Sequence, residues 1–281
     1  MVFRLRELEE AVRRLEEAPD ADAEELARAD RKRRIATERV FVRLERVHGE
    51  SVVLDLGESD LPISTPEGRL FFAAARGLTH AARDLVAGGA VGVNAPVSWG
   101  GAMATGVAAR FGHVRCLREL IRLGGSVHPR FARDRLGMGV MSQPLSGACV
   151  SLNLDVLQTL LDAGADAGDR CEIQWCFCGT ALLAATLLGF VGGVRLLLQQ
   201  PGIDVHARGK WPNHEKMMGS PGTFSALDVA IRNPVMNSEG DMEAIRELLR
   251  RKIRGDEPEA SSRRNAEAVQ GGQGQADVGA S

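Results

Sequence analysis

The chain has 281 residues, 44% of them hydrophobic and 26% charged, with a formal net charge of −2. That composition excludes wholesale disorder and a collagen-like fibre, and it gives no reason to expect binding to nucleic acid or anionic lipid driven by bulk charge. The length suits one large domain or two small ones.

The longest apolar runs, such as residues 181–188, are far too short to cross a bilayer. The N-terminus lacks an apolar h-region and is rich in Glu, so neither a secretory signal nor a mitochondrial presequence is expected. Five cysteines is an odd number, which predicts reduced thiols and a cytoplasmic location.

Residues 1–60 hold 12 Arg/Lys and 16 Asp/Glu. Leu5, Leu8, Val12 and Leu15 step by 3, 4 and 3, so they form one stripe of a helix whose other face is charged. The stripe lasts about two heptads and allows weak self-association as a short coiled coil. Pro19 and Asp20 interrupt it, and Asp20 or Asp22 is placed to cap a second helix. That helix carries Arg31, Lys32, Arg33 and Arg34. The run reads either as a nuclear import signal or, more plainly, as a solvated helix face. From Val40 to Leu56 two patterns compete. Val40, Val42 and Leu44 alternate like a strand, whereas Phe41, Leu44 and Val47 fit a helix.

The middle of the chain is self-similar, and such repetition points to stacked structural units. Five segments share one template: a short Ala-rich helix, a turn residue, a second helix ending in paired apolar residues, then Gly and a small residue. The first runs through Leu70, Ala73–Ala75 and Gly77 to Leu85, Val86 and Gly89. The second has Ala108, Ala109, Gly112, His113, Leu120, Ile121 and Gly124. The third has Pro144, Leu145, Leu160, Leu161 and Gly164. The fourth has Gly179–Leu182, Gly189, Leu197, Leu198 and Gly202. The fifth has Ala226–Asp228, Ala230, Leu248 and Leu249. The turn positions are Gly77, Gly112, Leu152, Gly189 and Asn233.

Over residues 67–254 this pattern resembles the ankyrin repeat family, most closely at Ala108–His113, Leu160–Asp166 and Gly179–Leu182. The turn spacings of 35, 40, 37 and 44 exceed the family period of about 33. Most of the excess falls in the loops between repeats. Repeats one and two lack the Thr-Pro-Leu-His element of the family. The resemblance implies an all-α, ankyrin-type helical repeat solenoid over residues 64–254. A charged helical region (1–60) precedes it, and a tail (255–281) follows it. Ala at the inner positions lets helices approach closely, Leu pairs fill the space between repeats, and stacking makes one continuous core. The tail holds no apolar residue larger than Val and is expected to be disordered.

Catalytic signatures are absent: no phosphate loop, no second His after His214 and Glu215, no nucleophile elbow. The protein is therefore expected not to be an enzyme and to carry no cofactor. His113 sits where the resemblance implies a turn-capping histidine. Cys171, Cys176 and Cys178 lie within eight residues, with His206 and His214 nearby. Their spacing departs from the usual zinc pattern, so partly buried thiols are the plain reading, and a metal- or redox-responsive regulator is the alternative function. All three tryptophans, Trp99, Trp175 and Trp211, fall between repeats, with Arg130, Arg133, Arg135, Arg208 and Lys210. The resemblance implies that these loops are fingers beside a concave face. Trp and Arg dominate binding hot spots. The expected function is thus a non-catalytic module that binds a protein partner through its concave face and finger loops, with Trp99, Arg130, Arg133, Trp175, Arg208 and Trp211 as contact residues. The competing reading is that the Trp rings pack finger against finger.

Overall fold

The structure is a computed structural model that describes residues 2–18, 22–48, 63–97, 102–128, 130–133, 139–173, 177–210, 223–232 and 237–255. The molecule is mostly helical. Two longer helices, α1 (Val2–Glu17) and α2 (Ala23–His48), form an N-terminal hairpin. Asp22 opens α2 by accepting the Glu24 amide at 3.0 Å. Of the two patterns beyond Val40, the helical one holds as far as His48. Val40 and Phe41 are both buried there, and Phe72 meets the Phe41 ring edge-on at 6.1 Å. Leu5 and Val12 of the α1 stripe are buried within the chain's own fold.

Five helix pairs follow: α3 (Pro66–Arg76) with α4 (Thr79–Ala87), α5 (Ala104–Arg110) with α6 (Val114–Arg122), and α7 (Pro144–Ser151) with α8 (Leu154–Asp162). The last two are α9 (Ala181–Leu187) with α10 (Val191–Leu198), and α11 (Ala226–Arg232) with α12 (Glu239–Arg254). First helices pack on first helices, α3 to α5 to α7 to α9 to α11, and second helices on second helices, α4 to α6 to α8 to α10 to α12. The first row is built from small residues because it is crowded. A Cβ on Gly147 of α7 would lie 2.8 Å from the Gly106 carbonyl oxygen and 3.0 Å from the Arg110 amide, both backbone atoms of α5. Leu117, Leu120, Leu157, Leu160 and Leu197 fill the space between the rows and join one hydrophobic core with Leu5, Val40 and Phe41 of the hairpin.

The turn inside each pair needs a left-handed residue to reverse the chain. Gly77, Gly112 and Gly189 have φ of 67°, 74° and 68°, a conformation that costs glycine little. Leu152 occupies the same position in the third pair with φ 52°. Asn233 lies outside the described residues. The polar side chain just before the second helix of the next pair roofs each glycine turn. His113 reaches the Ala75 carbonyl at 3.0 Å, and Asn237 donates to the Leu187 carbonyl at 2.8 Å. Asn153 donates to the Gly112 carbonyl at 3.4 Å.

The chain between pairs is not plain loop, as an all-helical reading expects. Antiparallel strands β1 (Arg130–Arg133) and β2 (Gly139–Ser142) bridge pairs two and three, and β3 (Arg170–Ile173) and β4 (Phe177–Thr180) bridge pairs three and four. Strands β5 (Gly209–Lys210) and β6 (Thr223–Phe224) bridge pairs four and five. Strand β4 also pairs with β5, giving one four-stranded sheet in the order β3-β4-β5-β6. The extra length between repeats seen in the sequence is thus used to build hairpins. The tail beyond Gly255 lies outside the described residues.

Candidate partner-binding surface

The inner row offers little to a partner at its centre. All seven residues of α9 are buried, as are Pro144, Leu145, Ser146, Ala148 and Cys149 of α7. The described members of the expected contact set lie in or beside the hairpins between pairs. The structure sets Arg130 and Arg133 at the two ends of β1, opposite Ser142 and Gly139. Arg208 lies just before β5. Its Nε donates to the Thr223 hydroxyl at 2.8 Å and one Nη to the Thr223 carbonyl at 2.7 Å, which closes the β5–β6 hairpin. The side chain is nevertheless 57% exposed. One face of the guanidinium holds the hairpin while the group as a whole stays accessible. Trp99, Trp175 and Trp211 lie outside the described residues, as do Arg135, Cys176 and His214.

The register bears on the cysteines. Cys171 is opposite Gly179, and Cys178 is opposite Glu172, so the two cysteines are not a directly paired set. Cys171 is buried in the core. Burial pushes the Cys116 and Cys149 thiols up to about 12, which leaves both protonated and unreactive. Among the described residues, no group of three or more His, Cys, Asp or Glu side chains is placed to hold a metal ion. His206 is exposed, and its amide caps an Asp204 turn. Burial holds the His113 pKa below the ordinary histidine value. A neutral ring that donates from Nε2 to a carbonyl is a structural tie. No described helix is long and apolar enough to cross a membrane.

The basic run in α2 is a correction to the sequence reading. Arg31, Lys32 and Arg34 are exposed, but Arg33 is 0% exposed. Its guanidinium donates to Asp30 at 2.6 Å and to Asp84 of α4 at 2.5 Å, and it lies 3.9 Å from Glu9 of α1. Three members of the run are thus solvated, and the face is not uniformly so. Its third member is a cross-brace between the hairpin and the first helix pair.

Next to Arg33 is a cluster that the sequence did not announce. Leu78 begins α4 without a side-chain cap. Glu9 of α1 supplies one from outside, accepting the His80 amide at 2.9 Å and the Ala81 amide at 3.1 Å. An acid at a helix N-terminus satisfies free amides and meets the positive end of the helix dipole. The His80 ring adds two contacts, Nδ1 to Glu9 at 2.6 Å and Nε2 to Glu16 at 3.0 Å. Glu16 is also held by Arg83 at 3.0 Å. Burial opposes the charge on both groups. The paired bonds outweigh it, raising the His80 pKa and lowering that of Glu16. Glu9 and Glu16 stand 64 to 71 residues before His80, with no motif linking them, so only folding brings them together.

With this geometry in place, comparison with known proteins adds no relative: no protein-family model matches the chain, and no curated protein matches it.

Proposed function

We propose that the chain is an ankyrin-type repeat solenoid that acts as a non-catalytic adaptor, binding a protein partner through the hairpins that project between its helix pairs. The observation that carries this reading is the alternation of stacked helix pairs with antiparallel hairpins in a fixed order along the chain. A rigid stack tolerates change in its projecting loops without disturbing its core. The buried inner helices α7 and α9 favour the hairpins over the helix row as the contact surface. The proposed contacts are Arg130, Arg133, Arg208, Trp99, Trp175 and Trp211.

A photo-crosslinking residue placed at 130, 133 or 208 tests the reading in the full chain. The same partner is expected from all three positions and not from positions 118 and 158 on the second row of helices. Capture from the second row alone overturns it. With that partner identified, each Trp→Ala variant separates the two roles. A binding anchor loses about 2 kcal/mol or more of affinity with little change in melting. A packing residue loses about 3–5 kcal/mol of stability if fully buried, with affinity intact.

A further inference from the structure

We propose that the charged His80 imidazolium locks the N-terminal hairpin onto the first helix pair, and that rising pH releases that hairpin while the rest of the array stays folded. The argument starts from donor counting. Both ring nitrogens of His80 face carboxylate oxygens, Glu9 at 2.6 Å and Glu16 at 3.0 Å. A neutral imidazole carries one N–H, so it satisfies one carboxylate and turns a lone pair towards the other. Only the doubly protonated ring donates to both.

The surroundings replace the lost charge only in part, because the remaining cations do not hydrogen-bond Glu9. From α1 the ring meets Glu9 and Glu16. From α4, Arg83 binds Glu16, while Asp84 is taken by Arg33. From α2, Arg33 reaches Glu9 only at 3.9 Å, beyond a hydrogen bond. From α6, Glu119 adds a further negative charge that interacts with His80, and the Cys116 thiol stays protonated. His80 is thus the one charged donor hydrogen-bonded to Glu9 among the described residues. Glu9 is the same group that caps α4, at 8% exposure, with His80 at 5%. A carboxylate this buried needs its partner, because an unpaired buried charge is costly.

The direction follows from linkage. Burial alone lowers the His80 pKa, but the bonds to Glu9 and Glu16 raise it above its ordinary value of about 6.5. Docking is therefore fully supported below about pH 6.5. It declines as pH rises between that value and the docked one, by up to about tenfold per pH unit for one linked proton. Above the docked value the contribution is gone.

Hydrogen exchange of the full chain, corrected for the intrinsic pH dependence of exchange, tests this between pH 6 and 10. Protection of α1 amides is expected to fall by up to about tenfold per pH unit, while α5–α9 amides keep theirs. His80→Gln, which does not titrate, is expected to give α1 protection that is flat with pH. Glu16→Gln keeps the Glu9 contact and is expected to lower the pH at which the loss of protection is complete and to reduce the total loss, so it tests the lock even if His80→Gln weakens the fold. Protection of α1 that is constant in the parent chain overturns the proposal. So does an unchanged pH dependence in His80→Gln, or α5–α9 losing protection together with α1.

Discussion

Two interfaces of this molecule solve the same packing problem with different chemistry. Between helix pairs, contact is made by Ala and Gly at close range and by Leu in the gaps. Between the N-terminal hairpin and the first pair, an apolar layer of Leu5, Val40 and Phe41 is joined to a buried polar layer of Glu9, His80 and Arg33. Apolar stacking is non-directional and scales with area, so it suits surfaces that repeat with small variations. A buried ion pair contributes little net stability, but it is strongly unfavourable if misaligned. It therefore sets the position of a unit that occurs once. The repeated interface recurs from pair to pair, and the unique one joins the hairpin to the first pair.

Cutting into each interface sharpens the contrast. The largest effect is expected in the stack: Leu160→Ala, at a fully buried site of α8, should cost about 3–4 kcal/mol. The loss should spread through neighbouring pairs in urea unfolding. Next comes the hairpin. Arg33→Met removes a buried cation but leaves Asp30 and Asp84, which are partly solvated. A cost of about 2–3 kcal/mol is expected, below the usual range for a broken buried pair because water reaches those carboxylates. Adding Asp84→Leu to Arg33→Met should recover part of that loss. A strictly additive double variant would show that the two groups are not coupled.

The inter-pair ties come third. His113→Ala removes the bond to Ala75 and should cost about 1–2 kcal/mol. His113→Asn should retain most of the stability, because Asn153 and Asn237 do the same work two repeats apart. Equal loss from both variants would mean that ring packing against Gly77 matters more than the hydrogen bond. The smallest effect has the opposite sign. Leu152 is 52% exposed and left-handed. Leu152→Gly removes about 1 kcal/mol of steric strain and adds back part of it as chain entropy. A rise in stability of about 0.5 kcal/mol is expected in thermal melts, and a fall would show that the Leu152 side chain packs more than its exposure suggests.

The sequence by itself determined the helix pairs and their turns. Ala-rich and Leu-paired segments recur at a readable spacing, and Gly77, Gly112 and Gly189 mark reversals that only a left-handed residue makes cheaply. These are local features, encoded within a few residues of where they act. The burial of Val12 and the cap at Asp22 were legible for the same reason. The hairpins were legible only as surplus length. Pairing β4 with β5 through Cys178 and Lys210 joins segments from different repeats, and nothing in either segment names the other.

The tertiary structure alone decided the fate of the charged residues. Arg33 looked like its neighbours Arg31, Lys32 and Arg34, yet it is buried because its helix rotation aims it at Asp84. His80 belongs to no motif in the sequence, yet it lies between Glu9 and Glu16 of α1 once the helices have packed. Charge acts through space and decays with distance between atoms, not along the chain. A pattern of residue types shows where a helix begins and which face it buries. Which distant carboxylate a cation meets is set only when the helices have packed.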